Sequence, residues 1–310
     1  MLTFGVSIPI GKISPLGEYQ SMAAVREMAV AIEAAGVSFA GLSEHPAPDT
    51  HWLHNDPQAH DALDPFTALA FVAAATTRLK VLTNIIVLPF RNPFITAKAA
   101  ATLQLLSDHR LILGVGVGYQ ESEFDALGAA YRQRGALTDE ALETIRLAWA
   151  GGPVVKQGRY FNARGNEPRP APSPPPPIWV GGSSAKALER AARFGDGWIP
   201  YFSVPTNDPT VAASSITSYE QYAGMIVRIQ EMRAKLGRTG PFSISTGSPF
   251  RPKATTREDA ERLLECAHQL GAHGATSMWT PLPAPSRAAF IENVAWYGEE
   301  VIAKFGSEAR

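Results

Sequence analysis

Glu44 and His45 stand side by side in Leu42-Ser43-Glu44-His45-Pro46, an acid and an imidazole at the end of an apolar run. An imidazole titrates near neutrality, so His45 can give or take a proton or hydrogen-bond a bound ring. A capped structural histidine carries the same signature. Farther along, Leu113-Gly114-Val115-Gly116-Val117-Gly118-Tyr119-Gln120 alternates glycine with apolar residues. One face of that strand lacks side chains, so a flat ring, another backbone or a tightly tapered interior lies against it. Asn84 is polar inside an otherwise apolar stretch and needs a hydrogen-bond partner if buried. The fourth candidate is the turn Gly181-Gly182-Ser183-Ser184 between Ile178–Val180 and a helical pattern. There Leu188, Ala191 and Ala192 keep the i, i+3, i+4 spacing of one buried stripe. The glycine pair lets backbone N–H groups approach a ligand at the positive end of a helix, a place suited to a phosphate. A tight turn without a ligand is the alternative.

His51, His54 and His60 follow His45 together with Asp49, Asp56, Asp61 and Asp64. No HxH on a strand and no HExxH on a helix organises them, so a solvated loop is expected and no metal. A metal-dependent barrel hydrolase would need ligands on strands, which the sequence does not supply. Cys266 is the one cysteine. Its place beside Leu263, Leu264 and Ala267 in an amphipathic pattern predicts a buried, inert thiol. A lone cysteine forms no internal disulfide and fits a reducing cytoplasm.

Strands and helices must alternate to position these residues. Apolar runs at 2–8, 39–44, 79–88, 110–117, 178–181, 197–200, 242–246 and 275–279 read as strands, each followed by a helical pattern. Met22/Val25/Ala29/Ile32, Leu142/Ile145/Trp149, Tyr222/Ile226/Ile229 and Phe290/Val294/Tyr297/Val301 repeat at helical spacing. Thr255-Thr256-Arg257-Glu258 reads as a capping box. Residues 177–200 form a βαβ unit, which requires parallel strands and a right-handed crossover. Eight such units in 310 residues predict a single α/β domain over 1–310, a (β/α)8 TIM barrel with insertions at its C-terminal mouth. An open doubly wound sheet is the alternative, weakened by the lack of GxGxxG after the first strand.

Segments 46–64, 151–177 and 203–215 exceed simple connections. The first and last follow strand C-terminal ends and are expected to cover a substrate. The middle one is rich in proline and glycine and ends in a stiff run at 174–177. A formal net charge of −1 gives no pull toward nucleic acid or an anionic membrane. The N-terminus lacks the pattern of a signal peptide, and no apolar run reaches membrane-spanning length.

Taken in order, TFGVSIP, DPFTALAFVAAATTRLKVLTNIIVLPFRNP, RLILGVGVGYQESEFDALG, RGALTDEALETIRLAWAGGPVVKQGRYF and PPIWVGGSSAKALERAARFGDGWIP resemble the luciferase-like oxidoreductase superfamily. More narrowly, they resemble its coenzyme F420 (deazaflavin)-dependent branch, over about residues 3–200. The resemblance implies a (β/α)8 barrel, a homodimer, and an isoalloxazine-like ring bound at the C-terminal mouth. Glu44 and His45 then match the acid–histidine pair beside the ring. Asn84 and Ile85 match a strand-three bulge, often with a non-prolyl cis peptide, that supports the ring's back face. Gly116, Val117 and Gly118 match the segment near the ring and ribityl chain, and Gly181, Gly182, Ser183 and Ser184 the phosphate cradle. Lys186 and Arg190 stand where they could meet a longer anionic tail.

One departure is Tyr119, which replaces the glutamate of members that oxidise a sugar phosphate. A phenol is a poorer proton acid, so a more apolar small-molecule substrate is expected. Trp52, Trp198, Tyr201, Phe202 and Trp279 could line its pocket. The function implied is an F420-dependent oxidoreductase moving a hydride to or from a small organic substrate, with His45 as proton partner and Tyr119 as the next candidate. An FMN-dependent monooxygenase on the same barrel is the alternative. A non-catalytic flavin- or deazaflavin-binding protein is the alternative from another class.

Overall fold

The computed structural model describes residues 2–11, 17–56, 60–202, 207 and 209–308. Its strands are β1 (Thr3–Ser7), β2 (Phe39–Leu42), β3 (Lys80–Thr83), β4 (Ile86–Val87), β5 (Leu111–Gly116), β6 (Val154–Gln157), β7 (Asn162–Asn166), β8 (Ile178–Gly181), β9 (Gly197–Ile199), β10 (Ser243–Gly247) and β11 (Ser277–Thr280). The helices are α1 (Met22–Ala34), α2 (Thr50–Asn55), α3 (Pro65–Ala74), α4 (Pro93–Leu106), α5 (Glu121–Ala126), α6 (Arg134–Trp149), α7 (Ala185–Phe194), α8 (Pro209–Ser214), α9 (Tyr219–Lys235), α10 (Arg257–Ala272), α11 (Arg287–Tyr297) and α12 (Ala303–Glu308).

Parallel pairing runs β1-β2-β3-β5-β8-β9-β10-β11 and returns to β1, closing the expected eight-stranded barrel. β4 continues β3 beyond a break at Asn84-Ile85 and pairs with the upper half of β5. Val81 and Leu82 face Leu111 and Ile112, whereas Ile86 and Val87 face Val115 and Gly116. Three residues on one strand therefore span two on the other, which is a bulge.

Two apolar layers hold the barrel. Inside it, Phe39, Leu82, Ile112, Trp179 and Ile199 pack together, joined by Ile85 and Trp279. Glycines on neighbouring strands make room for these rings: a methyl on Gly5 would stand 2.2 Å from Phe39, and one on Gly197 2.4 Å from Trp179. Outside, the apolar stripes of the helices meet the other face of the strands, and Leu142, Ile145, Tyr222, Ile229, Phe290, Val294, Tyr297 and Val301 are all buried there.

Some expectations need correction. Met22 is 71% exposed, because it opens α1 ahead of the packed stripe that Met28 joins. The capping box lies one residue later than expected: Thr256 Oγ1 accepts from Asp259 N–H and Asp259 accepts from Thr256 N–H. Cys266 is half-buried against the core rather than enclosed by it. Segment 151–177 contains the antiparallel hairpin β6–β7. Its turn is fixed by the Glu140 carboxylate of α6, which accepts from the N–H groups of Arg159, Tyr160 and Phe161.

Candidate active site

The break between β3 and β4 builds a shelf at the C-terminal end of the barrel. The Asn84-Ile85 peptide is cis, as the resemblance implied. Asn84 N–H donates to Leu42 O at 2.7 Å, and Asn84 Cβ packs on Gly41, where an added methyl would stand 3.3 Å away. Ile85 spreads over two glycines: its nearest side-chain carbon would be 2.5 Å from a methyl on Gly116 and 3.3 Å from one on Gly181. A methyl on Gly114 would lie 1.9 Å from Thr83 O. The bare face of the Gly114–Gly118 strand is thus filled by the neighbouring backbone and by Ile85. Of the alternatives the sequence left open for that face, the neighbouring backbone is the one found, with Ile85 beside it. Gly118 has φ +76° and lies against Val87 and Phe124, so it shapes the exit of β5. Val117 is half-buried beside it.

His45, three residues beyond β2, has a side chain only 9% exposed. Its Nδ1 lies 3.3 Å from Glu123 Oε2 and 3.4 Å from Gln120 Nε2. The Trp52 ring covers it with centroids 4.6 Å apart and planes tilted by 33°, while the rings of His60 and Tyr119 approach edge-on at 5.1 and 6.1 Å. Nε2 of His45 has no hydrogen-bond partner among the described residues. Glu123 and Gln120 were missed from sequence. Their signal was polar residues just after a glycine-rich strand, at the start of a short helix; both are buried.

Glu44 turns away from His45. Its carboxylate accepts from Val87 N–H at 2.7 Å and from Arg91 Nε at 2.8 Å, and Arg91 Nη2 bridges it to Asp64. Burial raises the Glu44 carboxyl above its ordinary range, and the Arg91 guanidinium and Val87 N–H oppose that rise. Glu44 therefore anchors β4 and the segment after it.

In the Gly181–Ser184 turn, Gly182 adopts φ +109°. Its N–H donates to Ile199 O, and its carbonyl accepts from the Trp198 indole at 2.7 Å. Ser183 Oγ accepts from Tyr201 N–H at 2.8 Å, and Ser184 Oγ caps α7 by accepting from Ala187 N–H. The Ser183 hydroxyl is thus turned to the Tyr201 backbone, whereas Ser184 Oγ only accepts and keeps its O–H to donate. That O–H and the N–H groups of Ala185 and Lys186 in the first turn of α7 remain for an anion. Arg190 is corrected: it is buried and bound to Asp139 at 2.6 Å, tying α7 to α6. Lys186 is exposed and pairs with Glu189.

The loop after β2 is built rather than merely solvated. Asp49 caps α2 through His51 and Trp52 N–H, His60 Nε2 meets Ser43 Oγ at 2.6 Å, and His54 bonds Thr50 O within the helix. Among the described residues, no group of three His, Cys, Asp or Glu is arranged to hold a metal. Residues 57–59, 203–206 and 208 of the two expected covering loops lie outside the described residues. The loops meet where Asn207 donates to Asp56 Oδ2 and Asn55 O, both at 2.8 Å. Trp198 and Phe202 belong to the outer layer with Tyr222, so they do not line the mouth as expected. The Trp52 and Trp279 indole N–H groups are buried without a partner among the described residues. Burial pushes the Tyr201 phenol up.

The sequence profile of the luciferase-like monooxygenase family matches residues 2–303. An uncharacterized protein of Mycobacterium tuberculosis is 30% identical over 245 residues, 79% of this chain and 77% of that protein. An F420-dependent glucose-6-phosphate dehydrogenase of Kineococcus radiotolerans is 34% identical over 177 residues, 56% of this chain and 50% of the dehydrogenase. Among solved structures, an F420-dependent secondary alcohol dehydrogenase in complex with an F420-acetone adduct shares the fold with a TM-score of 0.74. That match covers 97% of this chain and 98% of the other at 18% identity. No helix among the described residues is long and apolar enough to cross a membrane.

Proposed function

The chain belongs to the luciferase-like monooxygenase family, and on that premise we propose that it is an oxidoreductase dependent on the deazaflavin coenzyme F420. The observation that carries the reading is His45: nearly buried, stacked under Trp52, held through Nδ1, and left with an unpartnered Nε2 at the barrel mouth. That is the form of a group that hands a proton to, or takes one from, a bound molecule.

The residues present suit a cofactor made of a flat ring and a phosphate. Ile85 offers the ring an apolar shelf, the first turn of α7 offers N–H donors to the phosphate, and the orphan indole donors of Trp52 and Trp279 favour a polar ligand edge. When bound, such a cofactor supplies hydride chemistry at its C5 carbon. Ile85 and Trp52 exclude water, and His45 Nε2 takes the hydroxyl proton of an alcohol substrate, or returns it in reduction. Tyr119, at the place of a carboxylic acid in sugar-phosphate-oxidising members, favours a small apolar substrate such as an alcohol, imine or activated alkene.

Equilibrium titration of the cofactor-free chain with F420 and with FMN tests the proposal. Tight F420 binding and weak FMN binding are expected. The reverse would replace this reading with an FMN-dependent monooxygenase, an activity class the family's description carries.

The same reading includes a homodimer. Ile95 and Leu106 of α4 are 66% and 78% exposed and lie about three turns apart on one helix face, with half-exposed Phe71 on the adjacent α3. Light scattering should give twice the chain mass, and Ile95→Lys with Leu106→Glu should halve it. A monomeric wild type at micromolar concentration would reject this part.

A further inference from the structure

His45 Nδ1 faces two groups of opposite hydrogen-bonding character. Glu123 Oε2, at 3.3 Å, accepts when ionised, whereas Gln120 Nε2, at 3.4 Å, only donates. Each is held in its role from elsewhere. Glu123 Oε1 accepts from Ala47 N–H at 3.0 Å, which points the other oxygen at the ring. Gln120 Oε1 accepts from Asp49 N–H at 3.2 Å, which turns the amide nitrogen to the ring. Both side chains are buried and come from the segment after β5, whereas His45 follows β2.

A neutral imidazole carries one N–H and one lone pair, and the bond made by one nitrogen selects the state of the other. We propose that Glu123 and Gln120 are positioning residues that leave His45 two accessible tautomers, so that Nε2 presents either a lone pair or a proton to the mouth. With Nδ1–H turned to Glu123, Nε2 holds the lone pair and can take a proton. The imidazolium then formed lies against the Glu123 carboxylate. With Nδ1 accepting from Gln120, Nε2 carries the one proton of the neutral ring and donates a hydrogen bond to a substrate oxygen without releasing it; the proton given in reduction is that of the imidazolium, which returns to the Nδ1–H form. In oxidation of an alcohol, the O–H bond would break as an Nε2–H bond forms, and the C–H electron pair would leave as hydride to a bound deazaflavin, the oxidant of the proposed function. Reduction reverses each transfer. Around the ring, Trp52 and Gln120 carry no charge, and the other titratable groups are His60 and the Tyr119 phenol. His60 Nε2 is engaged with Ser43 Oγ.

The catalytic meaning rests on His45 being the proton partner, but the tautomer balance is a property of the cofactor-free chain and can be read there. Long-range proton–nitrogen correlation spectra of 15N-histidine-labelled protein at neutral pH resolve which ring nitrogen is protonated. Wild type should show both His45 tautomers. In Glu123→Gln the new amide keeps its oxygen on Ala47 N–H and turns its NH2 to Nδ1, so the signal should collapse to the Nε2–H form. Gln120→Leu should move it the opposite way, to Nδ1–H, and Glu123→Asp should restore part of the Nδ1–H signal. Wild-type spectra in either folded variant, or both variants moving in one direction, would overturn the inference. If Glu123→Gln does not fold, Gln120→Leu alone decides. Failure of F420 to bind would reject the proposed function and leave these spectra unchanged.

Discussion

Ile85 lies over Gly116 so closely that a methyl on the glycine would stand 2.5 Å from Ile85 Cδ1. Two positions earlier, a methyl on Gly114 would meet a harder neighbour, the Thr83 carbonyl oxygen, at 1.9 Å. The tip of an isoleucine can swing aside, but a strand carbonyl bonded in the barrel wall cannot. Gly116→Ala should therefore cost about 1–3 kcal/mol, the usual range for overpacking, and Gly114→Ala clearly more. Urea denaturation of both variants measures the difference. Equal costs would show that Ile85 is as fixed as the backbone.

His45→Asn keeps a hydrogen-bonding group but cannot carry a proton at neutral pH. Turnover should fall by about 10²–10⁴-fold, with a much smaller change in cofactor affinity. Steady-state kinetics beside an equilibrium titration separates the two. Near-normal turnover would reduce His45 to a packing role beneath Trp52 and make Tyr119 the next proton partner to test.

Ser183→Ala and Ser184→Ala separate two supports of one turn. Removing the Ser183 hydroxyl strips a buried partner from Tyr201 N–H and should cost about 1–3 kcal/mol. Removing the Ser184 cap should cost about 1 kcal/mol. Thermal melts of the cofactor-free protein test the order. Gly182→Val is a poorer probe, since φ +109° disfavours any side chain and folding would suffer with binding.

Glu33 accepts from the N–H groups of Thr77, Arg78 and Leu79 and from the Thr77 hydroxyl, clamping the entry to β3. Burial alone would raise its pKa, but these bonds outweigh it and bring the value from 4.5 to about 2. The folded value lies below the unfolded one, so the stabilisation is complete above about pH 4.5 and is lost as pH falls toward 2. Glu33→Gln should be less stable than wild type at neutral pH, and the gap should close across that window. A gap independent of pH would mean that the bonds act through shape and not charge.

The barrel was legible because every strand–helix unit carries its own apolar period, and the Gly181–Ser184 turn because glycine and a capping serine announce it locally. Glu44 misled because its neighbour in the chain is His45 whereas its partners in space are Arg91 and Val87. Arg190 reads as a charge on a polar helix face until α6 brings Asp139 against it. The short α2 sat inside a stretch taken for solvated loop, although Asp49 before Thr50-His51-Trp52 is a helix-start signal. Glu123 and Gln120 acquire meaning only when the loops after β2 and β5 converge on one ring. Sequence periodicity within an element carries no information about that convergence.

The bulge between β3 and β4 also reverses parity. Along an unbroken strand, residues an even number apart share a face. Yet Leu82 and Ile85, three apart, both join the inner layer, while Ile86 packs in the outer one. The extra residue acts as a phase shift in the wall of the barrel. Ile86 therefore points opposite to where simple counting from Leu82 would send it. Deleting one residue at 84–85 would remove the shift and leave Ile86 facing outward, with the single residue that remains turned to the lumen; deletion of Ile85 would put the polar Asn84 where the apolar shelf stands.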